Sequence, residues 1–328
     1  MFAFPNLSEH KPGAVRSIGL FSLVAIILLG HYYKSQGAAN HETRVVRKGD
    51  SASYLALRYY GFFNDSLFAA LQRTNQHIAD LNLIHAGDTL FLPIRQAANP
   101  APELLRTQAA NAVLTLAEGE VRYRSGVNAF KPAPPNLILK PNDEITTGKD
   151  GRAELVLDNR SVMRLAANSH LKIVALHRPA STRSATNSYQ ASFSLSVGSI
   201  WTRVTLFLDK PPKIEVKLPT AIAGVQGTVY RVVVAPDSTT SVRVYEGVVS
   251  VRANPLGNAP QRLGPPQQVP GPRQITTEEW IRMVRAYQEL VIAKNGKPSE
   301  PRPFEDQGND LAWARWNQDR DRDLAAER

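Results

Sequence analysis

His77 and His85, and again His170 and His177, are the closely spaced histidine pairs of this chain, and metal ligation or general-base chemistry would have to start from them. His77 and His85 lie eight residues apart with no acidic helix motif between them, which does not make a zinc site. His170 and His177 fall in strand-like sequence, where a separation of seven places side chains on opposite faces. Val197-Gly198-Ser199 lacks the second glycine of a nucleophile elbow. Gly224-Val225-Gln226-Gly227 has neither the Lys-Ser/Thr ending nor the following helix of a phosphate loop. The neighbouring carboxylates Asp143 and Glu144 point apart and cannot flank one bond as acid and base. Cysteine is absent, which removes disulfides, thiolate metal sites, a thiol nucleophile and lipid attachment through sulfur. The sequence therefore predicts no catalytic residue, no metal and no cofactor, and function is sought in binding.

Binding chemistry concentrates in residues 43–94. Val45 and Val46 form a short apolar strand that meets a Gly49-Asp50 turn, and an apolar stripe at helical spacing follows through Leu55, Tyr59, Leu67, Ala70 and Leu71. Leu90, Leu92 and Pro93 close a second strand after the Gly87-Asp88 turn. This βααβ order resembles the LysM module, a glycan-binding α+β fold, through Val46-x-x-Gly49-Asp50-Ser51, Leu55-Ala56, Tyr60-Gly61, Leu71, Asn75 and Ile84-x-x-Gly87-Asp88-x-Leu90-x-Leu92-Pro93. The resemblance implies a shallow groove for N-acetylglucosamine-containing peptidoglycan between Gly49, Asp50, Ser51, Ala52 and Ser53 on one side and Asn82, Leu83 and Ile84 on the other. Ser51-Ala52-Ser53 stands where many members carry Thr-Leu-Trp, and Gln76 replaces the proline after Asn75, so stacking surface is reduced.

A second regime begins after the Pro/Ala-rich stretch 95–111. Between about Val113 and Val251 apolar and polar residues alternate, as in Leu155/Leu157, Phe193/Leu195/Val197, Ile214/Val216/Leu218 and Val242/Val244, which predicts strands with one buried face. The pattern apolar-x-apolar-x-x-Gly-x-apolar occurs at Gly119, Gly198 and Gly247, and predicts positive-φ corners there. Glu118-Gly119-x-Val121, Leu139-x-Pro141-Asn142-Asp143-x-Ile145-x-Thr147-Gly148, Gly227-Thr228-x-Tyr230-x-Val232 and Tyr245-Glu246-Gly247-x-Val249-x-Val251 resemble the FecR periplasmic domain over 112–253. The family usually has Gly-Asp where this chain has Asn142-Asp143, and asparagine tolerates the same left-handed turn. The resemblance implies an all-β domain, sandwich-like or solenoid-like, that contacts a periplasmic or outer-membrane protein. Only about sixteen residues precede the first apolar run, so a direct anti-sigma role is not expected.

The remaining segments set location. Residues 17–33 form an uncharged apolar run, predicted to be a transmembrane anchor or signal helix behind a cytoplasmic 1–16; Gly37-Ala38-Ala39 suits cleavage after Ala39. Tyr32, Tyr33 and Lys34 suit an uncleaved inner-membrane anchor. Either way the bulk of the chain is expected in the periplasm. The net charge of +10 calls for anions, and the envelope supplies them; no basic run with interleaved aromatics points to nucleic acid. Residues 254–275 read as a Pro/Gly-rich linker. A Thr276-x-x-Glu279 capping box followed by Trp280, Val284, Tyr287 and Val291 predicts an amphipathic helix over 276–294. Residues 295–328 are expected to be a charged tail, with Asp310–Arg328 a solvated helix.

Overall fold

The computed structural model of the chain describes residues 41–94, 111–158, 160–177, 189–205, 212–225, 227–254 and 280–325. The apolar run 17–33 and nearly all of the two linkers lie outside the described residues. Among the described residues no helix is long and apolar enough to cross a membrane. The described residues from Thr43 onward form one compact unit.

Strand β1 (His41–Val45) leads into α1 (Ala52–Tyr60) and α2 (Asp65–Thr74), and β2 (Thr89–Pro93) returns to pair with β1. The expected βααβ order is therefore present. Local chemistry sets its boundaries: Ser51 Oγ caps α1 by accepting the Tyr54 N–H at 3.1 Å, and Gly61 ends that helix in the left-handed region. Asn64 caps α2 in the same way through the Leu67 N–H. Asn75 fastens α2 to β2, donating to the Leu71 and Phe91 carbonyls and accepting the Phe91 N–H.

The β-domain runs through β3 (Ala112–Glu118), β4 (Val121–Ser125), β5 (Lys131–Pro132), β6 (Ile138–Leu139), β7 (Asp143–Thr147), β8 (Arg152–Leu157) and β9 (Val162–Leu165). It continues with β10 (His170–His177), β11 (Gln190–Arg203), β12 (Lys213–Lys217), β13 (Ala221–Val225), β14 (Val229–Val234), β15 (Thr240–Glu246) and β16 (Val248–Ala253). β17 (Ile281–Arg285), β18 (Gln288–Ile292), β19 (Arg302–Pro303) and helix α3 (Gly308–Ala325) complete it. One sheet has the order β6-β3-β8-β9-β11-β14-β15-β18-β19, the other β5-β4-β7-β10-β11-β12-β13-β16-β17. They face each other over a single apolar core that includes Leu114, Leu155, Ile145, Phe193, Val216, Tyr230 and Val251.

The three corner glycines mark where the chain changes sheet. Gly119 links β3 to β4, Gly247 links β15 to β16, and Gly198 lies inside β11, whose first half pairs in one sheet and second half in the other. Their φ values are +63°, +79° and +99°, as expected from the sequence. Asn142 also adopts positive φ, 74°, and its side chain is exposed. Asn142→Gly is therefore expected to change the melting temperature little, in the stabilising direction if at all, because glycine reaches that conformation without strain. A melt well below wild type would contradict this.

The C-terminal expectations are corrected. The described part of the expected 276–294 helix, from Trp280 on, is instead the β17–β18 hairpin, with Tyr287 at φ 62° in the turn; 276–279 lie outside the described residues. β17 completes the sheet beside β16, and β18 completes the other beside β15. Val284, Leu290 and Ile292 alternate into the core, whereas Tyr287 of the proposed helical stripe is exposed. Two open sheet edges outweighed the local helical pattern. Nor is 310–328 a solvated helix: α3 lies on the outer face of the β3-containing sheet with Ala314, Asn317 and Asp321 buried.

Candidate functional site

The predicted groove has two walls, and the structure brings both against the β-domain. The first wall begins at Gly49 (φ +85°), whose carbonyl accepts an Nη2–H from Arg320 of α3 at 3.1 Å. The Asp50 carboxylate accepts the Arg47 N–H at 2.9 Å and shapes the turn. Burial pushes the Asp50 carboxyl above its usual range, against the opposing pull of Arg58 and Arg320. Ser51, Ala52 and Ser53 are buried, and the Ser51 and Ser53 hydroxyls lie 3.0 Å apart. The second wall is the 3-10 turn Leu81–Leu83, capped by Asp80, whose Oδ1 accepts the Asn82 N–H at 2.8 Å. Asn82 and Ile84 are half-buried, and Leu83 is exposed at 66%.

Asn136, between β5 and β6, spans the two walls. Its Oδ1 accepts the Ser53 N–H at 2.7 Å, while its Nδ2 donates to the Leu81 carbonyl and to Asn82 Oδ1, both at 3.0 Å. The residue is held in the left-handed region at φ 69°, with its own N–H donating to the Leu114 carbonyl at 2.8 Å. Beside this polar contact the interface is apolar: Val113, Val156 and Val162 of the sandwich join Tyr54, Leu57 and the rest of the module core in one cluster. Neither Asn136 nor Arg320 was legible as a site residue. Asn136 sits in a Pro-rich turn whose long-range partner leaves no local pattern, and Arg320 belongs to a charge run that reads as solvated.

Arg320 belongs to a buried polar cluster on the sheet face beneath α3. Glu154, fully buried, accepts from Arg164 Nε and Arg320 Nε at 2.6 Å each, from Arg320 Nη2 at 2.8 Å and from the Thr115 hydroxyl at 2.7 Å. Arg164 also donates to Asp321 at 2.7 Å, and Trp201 Nε1–H donates to the same carboxylate at 3.1 Å. Burial alone would raise Glu154, but Arg320 and Arg164 outweigh it and hold the carboxyl down to about 2. A second cluster joins Arg243 to Glu289, Asp306 and Asp310.

The histidines are dispersed into local roles. His77 bonds the Thr89 carbonyl and packs on Phe91, His85 lies 4.0 Å from Asp88, and His170 pairs with Glu144 at 2.8 Å. Among the described residues no group of three or more His, Asp or Glu side chains gathers as a metal site would require.

Comparison with known proteins agrees with both resemblances. Residues 45–93 match the LysM domain and residues 143–250 match the FecR protein family, so the chain carries a LysM domain followed by a FecR domain. The sandwich itself extends on both sides of the matched FecR residues, from β3 to β19. No curated relative matches. Two crystal structures, at 2.50 Å and 1.65 Å, of a candidate anti-sigma factor from Parabacteroides distasonis ATCC 8503 align at 16% and 17% identity with TM-scores of 0.33 and 0.35. They cover 49% and 52% of this chain, which spans 60% and 64% of theirs, about three fifths of their length.

Proposed function

We propose that this chain, with its LysM and FecR domains, is a non-catalytic periplasmic component of the cell envelope. It binds N-acetylglucosamine-containing peptidoglycan through the groove between residues 49–53 and 82–84, and a periplasmic or outer-membrane protein through the FecR sandwich. Residues 17–33 tether it to the inner membrane unless they are removed by cleavage after Ala39. The LysM domain points to peptidoglycan and the FecR domain to envelope signalling.

The observation that carries the glycan reading is the amide slot. One wall offers an N–H, at Ser53, and the other offers acceptors, at Leu81 and Asn82. That pair complements the C=O and N–H of an acetamide, the group that distinguishes N-acetylated sugars from plain hexoses. A second reading is supported by the same contact: because the slot is filled by Asn136, the LysM domain also serves as a scaffold that stiffens the FecR sandwich.

Sedimentation of the full chain with purified sacculi separates the two. Saturable binding is expected, reduced by Ile84→Ala, which leaves the Asn136 contact untouched, in a protein whose melt stays cooperative. No sedimentation of the wild type or of an Asn136→Gly variant, which empties the slot, leaves the scaffold reading alone. Release of soluble wall fragments during the incubation would contradict the non-catalytic assignment.

A further inference from the structure

We propose that the FecR sandwich is a built-in competitor for the LysM groove: Asn136 and Arg320 latch it shut, and glycan enters only when that latch is released. This inference rests on the reading that the groove takes N-acetylated glycan.

The latch is specific in its chemistry. A primary carboxamide presents a carbonyl and an N–H in one plane, as an acetamide does, and Asn136 satisfies Ser53, Leu81 and Asn82 with that single group. A sugar amide and the Asn136 amide therefore cannot occupy the slot together. Asn136 is presented firmly, by its left-handed backbone, by its N–H bond to Leu114 and by the preceding Pro134-Pro135. Arg320 closes the other end, donating to the Gly49 carbonyl from a guanidinium fixed by Glu154 and packed over the Tyr54 ring at 4.7 Å.

The latch is also releasable. At the slot the contact consists of hydrogen bonds: a ligand acetamide replaces the Ser53 bond and one of the two that Asn136 donates, and the half-buried Asn82 takes solvent or a sugar hydroxyl for the other, so release exchanges partners. The apolar seat under α1, against Val156 and Val162, does not involve Asn136 and holds the LysM domain to the sandwich meanwhile. Glycan occupancy would thus be communicated to the β5–β6 turn and to α3, which hydrogen-bond to the groove walls.

The test uses the full chain and two substitutions. Asn136→Gly removes the carboxamide while keeping a residue suited to φ 69°. Asn136→Asp keeps the shape but sets a carboxylate against the Leu81 carbonyl and Asn82 Oδ1. Because apparent affinity scales with the fraction of open groove, each is expected to tighten sacculus binding by about tenfold or more. N-Acetylglucosamine oligomers should compete with sacculi, and glucose oligomers of the same linkage should not. Equal sacculus binding by wild type and both folded variants overturns the latch and leaves the peptidoglycan reading standing. Equal competition by the glucose oligomers overturns the amide exchange. Absence of binding in all three proteins overturns the latch together with the reading beneath it.

Discussion

Arg164→Leu is expected to destabilise the protein by about 3–5 kcal/mol, because it leaves the buried carboxylates of Glu154 and Asp321 short of their shared cation. Arg164 is fully buried, so no water replaces the lost guanidinium. Among the described residues Asp321 would keep Trp201 as its one side-chain donor to the carboxylate, and α3 is expected to loosen from the sheet. The exposed Arg322–Asp319 pair on the same helix is the control, and Arg322→Ala should leave the melt unchanged. Acid titration gives a second readout. Glu154 ionises at about 2 in the folded chain and near 4.3 when unfolded, so its stabilisation is present above the unfolded value and is lost as pH falls toward 2. With Arg164 gone, the folded pKa rises toward the unfolded one. The variant should therefore lose less stability than wild type between about pH 4.5 and pH 2. An Arg164→Leu protein that melts with wild type would mean that α3 is not held by this cluster.

Gly198→Val is expected to cost about 4 kcal/mol, the sum of two separate penalties. A β-branched residue at φ +99° carries backbone strain of roughly 1–3 kcal/mol. A Cβ at this position would also lie 2.3 Å from Ser169 Cα and 2.3 Å from Ser169 Oγ, and the overpacking adds about 1–3 kcal/mol. Ser169 cannot simply withdraw, because its hydroxyl accepts the Ser199 N–H at 3.0 Å just where β11 crosses between sheets. Gly126 separates the two penalties: its φ is +59°, yet nothing lies within 4 Å of the point that a Cβ would occupy. Gly126→Val should therefore show the strain alone and lose less. Thermal melts of both variants check the order, and a Gly198→Val melt at or above that of Gly126→Val would contradict the crossing geometry.

Much of this architecture was legible in the sequence because it is written locally. Gly49-Asp50, Asn75 and Gly87-Asp88 act within a few residues, or one strand away, of the turns and caps that they make, and the alternation in β11, β12 and β15 is the direct trace of one buried face. The corner glycines were found for the same reason. Residues 280–292 misled because Trp280, Val284 and Val291 satisfy a helical period, while the even-numbered Val284, Leu290 and Ile292 satisfy a strand period equally well. The sheet edges of β15 and β16 decided between them, and those edges lie some forty residues away in sequence.

The turns of the candidate groove were legible, but their long-range partners were not. Gly49 to Ser53 and Asn82 to Ile84 both lie against the sandwich, and the side chains that bond to them come from residues 136 and 320, 83 and 271 positions from their partners. Long-range polar pairing of this kind has no sequence period. The charged run Asp319-Arg320-Asp321-Arg322-Asp323 carried a signal only in retrospect: Arg320 and Asp321 meet complementary charges on the sheet, whereas Asp319 and Arg322 pair with each other in solvent.

The backbone amide of Ser53 reports most directly on whether the LysM groove is closed by the FecR sandwich. In the full chain this amide is buried and donates to Asn136 Oδ1, so its hydrogen exchange should be slow. In Asn136→Gly it should exchange at least about tenfold faster, while the neighbouring Leu55 amide, bonded to the Ser51 carbonyl within α1, keeps its rate. Fast exchange at Ser53 in the wild type, or the same slow rate in both proteins, would contradict the closed groove.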